Sequence, residues 1–191
     1  MDAFAIPQAA TCGAIFTGLA AQVTGTDAAN DVVADFTGAT ATQLGTPSVA
    51  TPVTHNASIT LGSRFHINIE GIWVVKARIS HITASSVRAA IGVDNAPGDL
   101  SIDPVVPNGS TFLDTALSIQ LAADTSSIEV ESDPFIITRA QAQDQVAQAT
   151  GNVRLLLSNN AGAGAADASI GTALTFIKFQ RIGDVPSQLR G

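Results

Sequence analysis

From Ser58 onward the chain alternates apolar and polar side chains with a period of two, the pattern of strands that bury one face. In Arg64–Glu70 the odd positions Phe65, Ile67 and Ile69 are apolar and the even ones polar, which predicts a strand. After Gly71, residues Trp73, Val75, Ala77 and Ile79 form one face and Lys76, Arg78 and Ser80 the other, so the glycine marks a turn or bulge between two strands. Ser86–Val93 predicts a third strand, closed by the turn-forming run Asp94-Asn95-Ala96-Pro97-Gly98. After a long loop to Gly109, Phe112–Leu121 sets Leu113, Leu117, Ile119 and Leu121 against Asp114, Ser118 and Gln120. Ser127–Glu131, Val153–Ser158 and Ala168–Arg181 complete the set. In the last, apolar residues fall on both faces, Leu174 and Phe176 against Ile177 and Phe179, as expected of a central strand or one that also meets another subunit.

One segment departs from the period of two. Thr138-Arg139-Ala140-Gln141 fits a capping box, Ala140–Ala149 contains one β-branched residue, and Gly151 is placed as a stop, so a short helix is predicted. Its apolar stripe is alanines and Val146, too thin for a core position and suited to the surface or a subunit contact.

Before Ser58 the reading is different. Gly13–Ala21 is too short for a membrane span, and Asp2 stands where a secretory signal carries Lys or Arg, so neither is expected. The stretch 24–56 is rich in Thr, Ala, Gly and Asp and predicts an extended arm with a first strand near 31–37. Phe4, Ile6, Ile15, Phe16 and Leu19 give that arm apolar anchors for another subunit or partner. The expected organisation is an arm over 1–56 and a folded body over 57–191, from which residues 1–24 could be removed without unfolding the rest.

Composition narrows the function. Only 13% of the 191 residues are charged and 46% are hydrophobic, which predicts a folded chain with a surface that a neighbouring subunit can cover at modest desolvation cost. A net charge of −7 offers no general positive field for nucleic acid or anionic membranes. One cysteine, Cys12, excludes an internal disulfide and a multi-cysteine metal site. There are two lysines, Lys76 and Lys178.

Candidate chemistry is sparse. His55, His66 and His81 lie in or beside strands without an acidic partner at a spacing that fixes geometry, which favours structural roles over catalysis or metal ligation. No Gly-x-Ser-x-Gly occurs, and Gly162-Ala163-Gly164 lacks the third glycine of a phosphate loop. Asp94, Asn95, Asp99 and Asp103 lack the spacing of a calcium loop and suit turns. Asp124, Glu129, Glu131 and Asp133 form an acidic patch that solvation explains. Trp73 shares a face with Val75 and Ile79 and is expected in the core. No cofactor is expected.

Short strands with turn signals and one peripheral helix predict an all-β antiparallel sandwich, and the periodicity suits a jelly roll or an immunoglobulin-like sandwich. The order strand, glycine, aromatic-bearing strand in Phe65–Ile79, with the end strand Thr172–Gly183, resembles the complement globular-head and tumour necrosis factor superfamily over residues 58–183. It is most similar to the forms of that jelly roll carried by tailed-bacteriophage virions as head decoration or fibre proteins. The helix near 139–149 has no counterpart in the compact members, and Trp73 stands where they carry tyrosine. The resemblance implies an all-β antiparallel jelly-roll sandwich with an extended N-terminal arm and one short peripheral helix. It also implies a homotrimer with Leu174, Phe176, Ile177 and Phe179 as contact candidates. The function so implied is a non-enzymatic capsid decoration or cement protein at the virion surface, partnered by itself and by the major capsid protein or another virion protein. Neither nucleic acid nor membrane is an expected partner. The alternative is a receptor- or glycan-binding module using loops 94–110 and 159–168.

Overall fold

A computed structural model describes residues 12–18, 22–24, 32–33, 36, 40–45, 51–58, 62–81, 87–94, 112–113, 119–120, 127–143, 152–159 and 168–186. In chain order the strands are β1 (Gly13–Thr17), β2 (Gln22–Thr24), β3 (Val32–Val33), β4 (Thr40–Leu44), β5 (Val53–Ser58), β6 (Gly62–Ile67) and β7 (Gly71–His81). Then come β8 (Val87–Asp94), β9 (Phe112–Leu113), β10 (Ile119–Gln120), β11 (Ser127–Glu131), β12 (Phe135–Ile137), helix α1 (Arg139–Gln143), β13 (Asn152–Asn159) and β14 (Ala168–Gly183). Sheet A runs β11-β7-β14-β1-β4, with β12 also on β7 and β2 on β14. Sheet B runs β10-β8-β13-β6-β5, with β3 on β13 and β9 on β8. These pairings are antiparallel, and apart from β5–β6 and β8–β9 the sheet neighbours are not consecutive in sequence, the wiring of a jelly roll.

Register decides which residues meet between the sheets. In sheet A, Phe179 lies opposite Val75 and Ala14, and Ile177 opposite Ala77 and Phe16. In sheet B, Phe65 lies opposite Val153 and His55, and Ile91 opposite Leu155. All of these but His55 are buried. The faces lock through aromatic rings: Phe65 of sheet B sits 4.9 Å from Phe16 and 5.2 Å from Phe179 of sheet A, and 5.4 Å from Phe36, centroid to centroid. Such offset and edge-to-face pairs add to the burial of the rings themselves. Trp73 is in the core, as its shared face with Val75 predicts, and its Nε1–H donates to the Ile69 carbonyl at 3.1 Å.

Two irregularities are plugged by hydroxyls. Between β11 and β12 the edge of sheet A bulges; Ser132 N–H donates to the Val75 carbonyl at 2.9 Å, and the Val75 N–H donates back to Ser132 Oγ at 3.0 Å. Where β14 shifts register against β7 between Gly171 and Phe176, buried Thr175 Oγ1 accepts from the Ser80 N–H at 3.3 Å. Such substitutions keep backbone donors satisfied where the ladder cannot. At α1 the capping box forms: Gln141 N–H donates to Thr138 Oγ1 at 3.3 Å, and Thr138 N–H donates to Gln141 Oε1 at 2.9 Å. Positions 144–149 of the predicted helix lie outside the described residues.

The arm expected over 1–56 is corrected, since β1, β2, β3, β4 and most of β5 fall within it and belong to the two sheets. Gly13–Thr17 is an inner strand of sheet A, hydrogen-bonded to β14 on one side and β4 on the other, and Val53–Ser58 is a full strand of sheet B. The reason is local. Gly13 approaches the Phe179 carbonyl so closely that any side chain would collide with it, and Phe16 completes the aromatic cluster from within β1. The predicted single strand 112–121 is represented by two short pieces, both paired with β8.

Deleting residues 1–24 is therefore expected to abolish cooperative unfolding, because it removes the strand between β14 and β4. Phe65→Ala should cost about 3–5 kcal/mol in urea unfolding, the range for an aromatic truncated in a closed core. A truncated chain that melts as sharply as the full one would contradict this placement of β1.

Candidate interaction face

The two sheets differ in what their outward faces do. On sheet B, Asn152 lies opposite His66, and these and Arg154 are fully buried within the chain. His66, Asn152 and Arg154 are each engaged in contacts. That face is covered at this point by the chain's own residues. On sheet A the outward residues are half-buried at most.

Register orders the outward face of sheet A into rows. One runs Glu131, Lys76, Lys178, Ile15, Thr42; the next on one side runs Glu129, Arg78, Phe176, Thr17, Thr40; on the other, Val74, Gln180, Gly13, Leu44. Ile15, Leu44, Ile72, Val74 and Phe176 are half-buried, and Ile182 is 45% exposed. Ile72 lies opposite Ile136 of β12 and next to Gly183 of β14, which extends the apolar part toward the end where β7 begins. The result is a face of separated aliphatic side chains interleaved with cations in its middle and carboxylates along one edge.

The electrostatics are local. Lys76 Nζ reaches Glu129 Oε2 at 2.6 Å. The Glu129 hydrogen bond and charge hold the Lys76 ammonium above the ordinary lysine range, and the same hydrogen bond holds the Glu129 carboxyl below the ordinary glutamate range. At the end of the sheet, Arg181 ties three segments together. Its Nε–H donates to the Glu70 carbonyl at 2.9 Å, its Nη2 pairs with Asp184, and its backbone N–H donates to the Cys12 carbonyl at 2.8 Å. Gly71 makes room for it: at φ 158° a Cβ there would strike Arg181 Nε and lie 2.9 Å from the Gly183 carbonyl oxygen. Burial pushes the Cys12 thiol up, with the Arg181 charge opposing.

The residues singled out from the sequence are distributed unevenly. Of the proposed arm anchors, Ile15 is on this outward face, while Phe16, at 2% exposed, is core and unavailable to a partner. Phe4, Ile6 and Leu19 lie outside the described residues. Of the trimer-contact candidates, Phe176 is on the face. Ile177 and Phe179 are fully buried between the sheets, a correction that follows from register: their neighbours Lys178 and Gln180 point outward instead. The side chain of Leu174 lies outside the described residues, as do those of Asp94 and His81 and the loops 95–110 and 160–167.

A serine–histidine contact that the sequence reading missed is structural. His55 Nε2 lies 2.8 Å from Ser63 Oγ, and Ser63 Oγ also accepts the Phe36 N–H at 2.7 Å. Ser63 is fully buried and His55 packs 5.0 Å from the Phe65 ring, so no substrate carbonyl can reach that hydroxyl. Nothing in the local sequence announces the pair, because it depends on the register of β5 against β6. Among the described residues no three His, Cys, Asp or Glu side chains gather as a metal site, and no helix is long and apolar enough to cross a membrane.

No protein-family description matches this chain, and no curated protein sequence matches it. Among solved structures it is similar to the PRD1 vertex protein P5, with a TM-score of 0.50 and 12% identity over 91% of this chain and 98% of that one. It is also similar to the Eiger TNF from S. frugiperda (TM-score 0.48, 14% identity, 95% and 99% covered) and to murine APRIL at pH 8.0 (0.45, 8%, 89% and 98%). At such identities the likeness concerns the fold. The strand order and the overlap with P5 agree on the jelly roll, as the sequence resemblance implied.

The Lys76–Glu129 pair has a defined pH window. Glu129, with its pKa lowered on folding, contributes above the unfolded glutamate pKa and loses that contribution as pH falls through the folded value. Lys76, with its pKa raised, contributes fully below the unfolded lysine pKa and loses it as pH rises through the folded value. In a carboxyl-carbon NMR titration, Glu129 should titrate below the ordinary glutamate range and move up toward it in Lys76→Met; an unchanged midpoint would show that the contact does not persist in solution.

Proposed function

We propose that the chain is a non-enzymatic structural module that forms a homotrimer through the outward face of sheet A and decorates a virion head, bound to the major capsid protein or another virion protein. The observation that carries the reading is the contrast between the two outward faces. Sheet B is covered at its middle by the chain itself, whereas sheet A presents Ile15, Leu44, Ile72, Val74 and Phe176 half-buried and interleaved with cations. Burying such a face gains about 25 cal/mol per Å² of apolar surface removed from water. The low charge content keeps the desolvation cost small.

The placement on a particle draws its support from the resemblance to phage decoration proteins and from the fold shared with a protein described as a vertex protein. With β1 inside the sheet, the part of the former arm left for attachment is the segment before Cys12, which carries Phe4 and Ile6. Three such segments on one trimer would bind a shell with avidity.

Native mass spectrometry of the purified chain is expected to give three copies, and Val74→Asp or Phe176→Asp to give one copy with an unchanged far-ultraviolet dichroism spectrum. Incubated with undecorated shells and imaged by electron microscopy, the wild type should occupy them in a regular array. The Phe4→Asp, Ile6→Asp double variant should remain trimeric and lose about tenfold or more in shell affinity, the equivalent of about 1.4 kcal/mol. A wild-type monomer at high concentration would overturn the assembly, and failure to coat any shell would overturn the decoration.

A further inference from the structure

The two lysines of the chain stand directly across from one another on the outward face of sheet A, Lys76 on β7 opposite Lys178 on β14. Like charges in opposed positions are unfavourable in a ladder. Lys76 leans away toward β11, the strand on the far side of β7 from β14, and is neutralised there by Glu129 at 2.6 Å. Lys178 has no ion-pair partner among the described residues. It lines a cleft of about 180 Å³ together with Leu44, Gly45, Gln180 and Cys12. In the ladder Gly13 lies between Gln180 and Leu44, which brings these two lining residues to the same level of the face. An apolar wall at Leu44 and a cation at Lys178 suit one chemistry, a carboxylate on a short aliphatic stem.

The matching group is at the edge of the same face. Glu131 on β11 is exposed and opposite Lys76, whose ammonium is already taken by Glu129, so Glu131 acts on it only at longer range. Among the described residues, Lys178 thus has no ion pair, and Glu131 has none of its own. We propose that Glu131 of one copy enters the cleft of the next and pairs there with Lys178, its methylenes against Leu44; this rests on the self-association proposed above. Because the donor sits at the sheet edge and the acceptor near its centre, the pair fixes a lateral offset between the faces of two copies.

The assembly constant of the full-length chain, measured by sedimentation equilibrium, tests the pairing. Lys178→Glu and Glu131→Lys are each expected to weaken assembly about tenfold or more, and the double exchange to restore it to within about threefold of wild type, the behaviour of a directly coupled pair. Lys178→Glu places a carboxylate opposite Lys76 in its own chain, so the fold should survive; Lys178→Gln with Glu131→Gln in a double-mutant cycle gives the same coupling should either reversal unfold. Wild-type assembly should also weaken between about 0.05 M and about 0.5 M salt. If the wild type assembles but Lys178→Glu leaves it unchanged, if the double exchange fails to restore it, or if Asp133→Lys rescues Lys178→Glu as well as Glu131→Lys does, the pairing is wrong and the trimer stands. If the wild type is monomeric throughout, both fall.

Discussion

The register of β14 between β7 and β1 is the constraint on which the rest depends. Phe179 faces inward because it is held opposite Val75 and Ala14, and Ile177 because it is held opposite Ala77 and Phe16. A slip of one residue would bury Lys178 and Gln180 and expose Phe179, exchanging an aromatic core contact for an uncompensated charge. The part of the strand held between β7 and β1 is pinned at both of its ends. Thr175 satisfies the backbone at its bulge, and Arg181 fastens the other end to the Glu70 carbonyl, to Asp184 and, through its own N–H, to Cys12. Gly71 belongs to the same fastening, since a side chain there would occupy the path of the arginine.

The same register produces the interaction face. Once Phe179 and Ile177 are inside, Phe176, Lys178 and Gln180 must be outside, beside Ile15, Val74 and Leu44 from the flanking strands. Core and contact surface are therefore two sides of one choice, and neither can be repositioned alone. The aromatic group Phe16, Phe36, Phe65 and Phe179 enforces the choice from within by joining the two sheets.

Legibility in the sequence followed burial. Phe65–Ile67 and Trp73–Ile79 were readable because large apolar residues alternate with polar ones, and both are strands with the expected face buried. Val53–Ser58 was not, because it alternates weakly and His55, on the same side as Val53, contributes through packing on Phe65 and the Ser63 contact rather than through hydrophobicity. Gly13–Thr17 was hidden for the opposite reason: Ala14 and Phe16 face the core while Ile15 is half-buried outside, so no alternation survives. Thr40–Leu44 is an edge strand of mostly polar residues. Ile177 and Phe179 were read as contact residues because an apolar run on both faces shows that both are covered without showing by what. His66, at a polar even position, lies on the outward side of sheet B, yet it is buried, because the chain covers sheet B there.

A chain with so few charges cannot rely on a general field to choose its neighbours, so specificity must come from individual groups. The outward face of sheet A places them accordingly. Glu129 neutralises Lys76 within the chain, which removes a repulsive group from the middle of the face and leaves Lys178 beside a cleft, with Glu131 at the rim. Apolar burial alone would let two such faces slide over one another, since Ile15, Val74, Leu44 and Phe176 are similar in character. A cation beside the cleft, set apart from a carboxylate at the rim, favours one lateral offset between copies, which is the specificity that apolar contact alone does not supply.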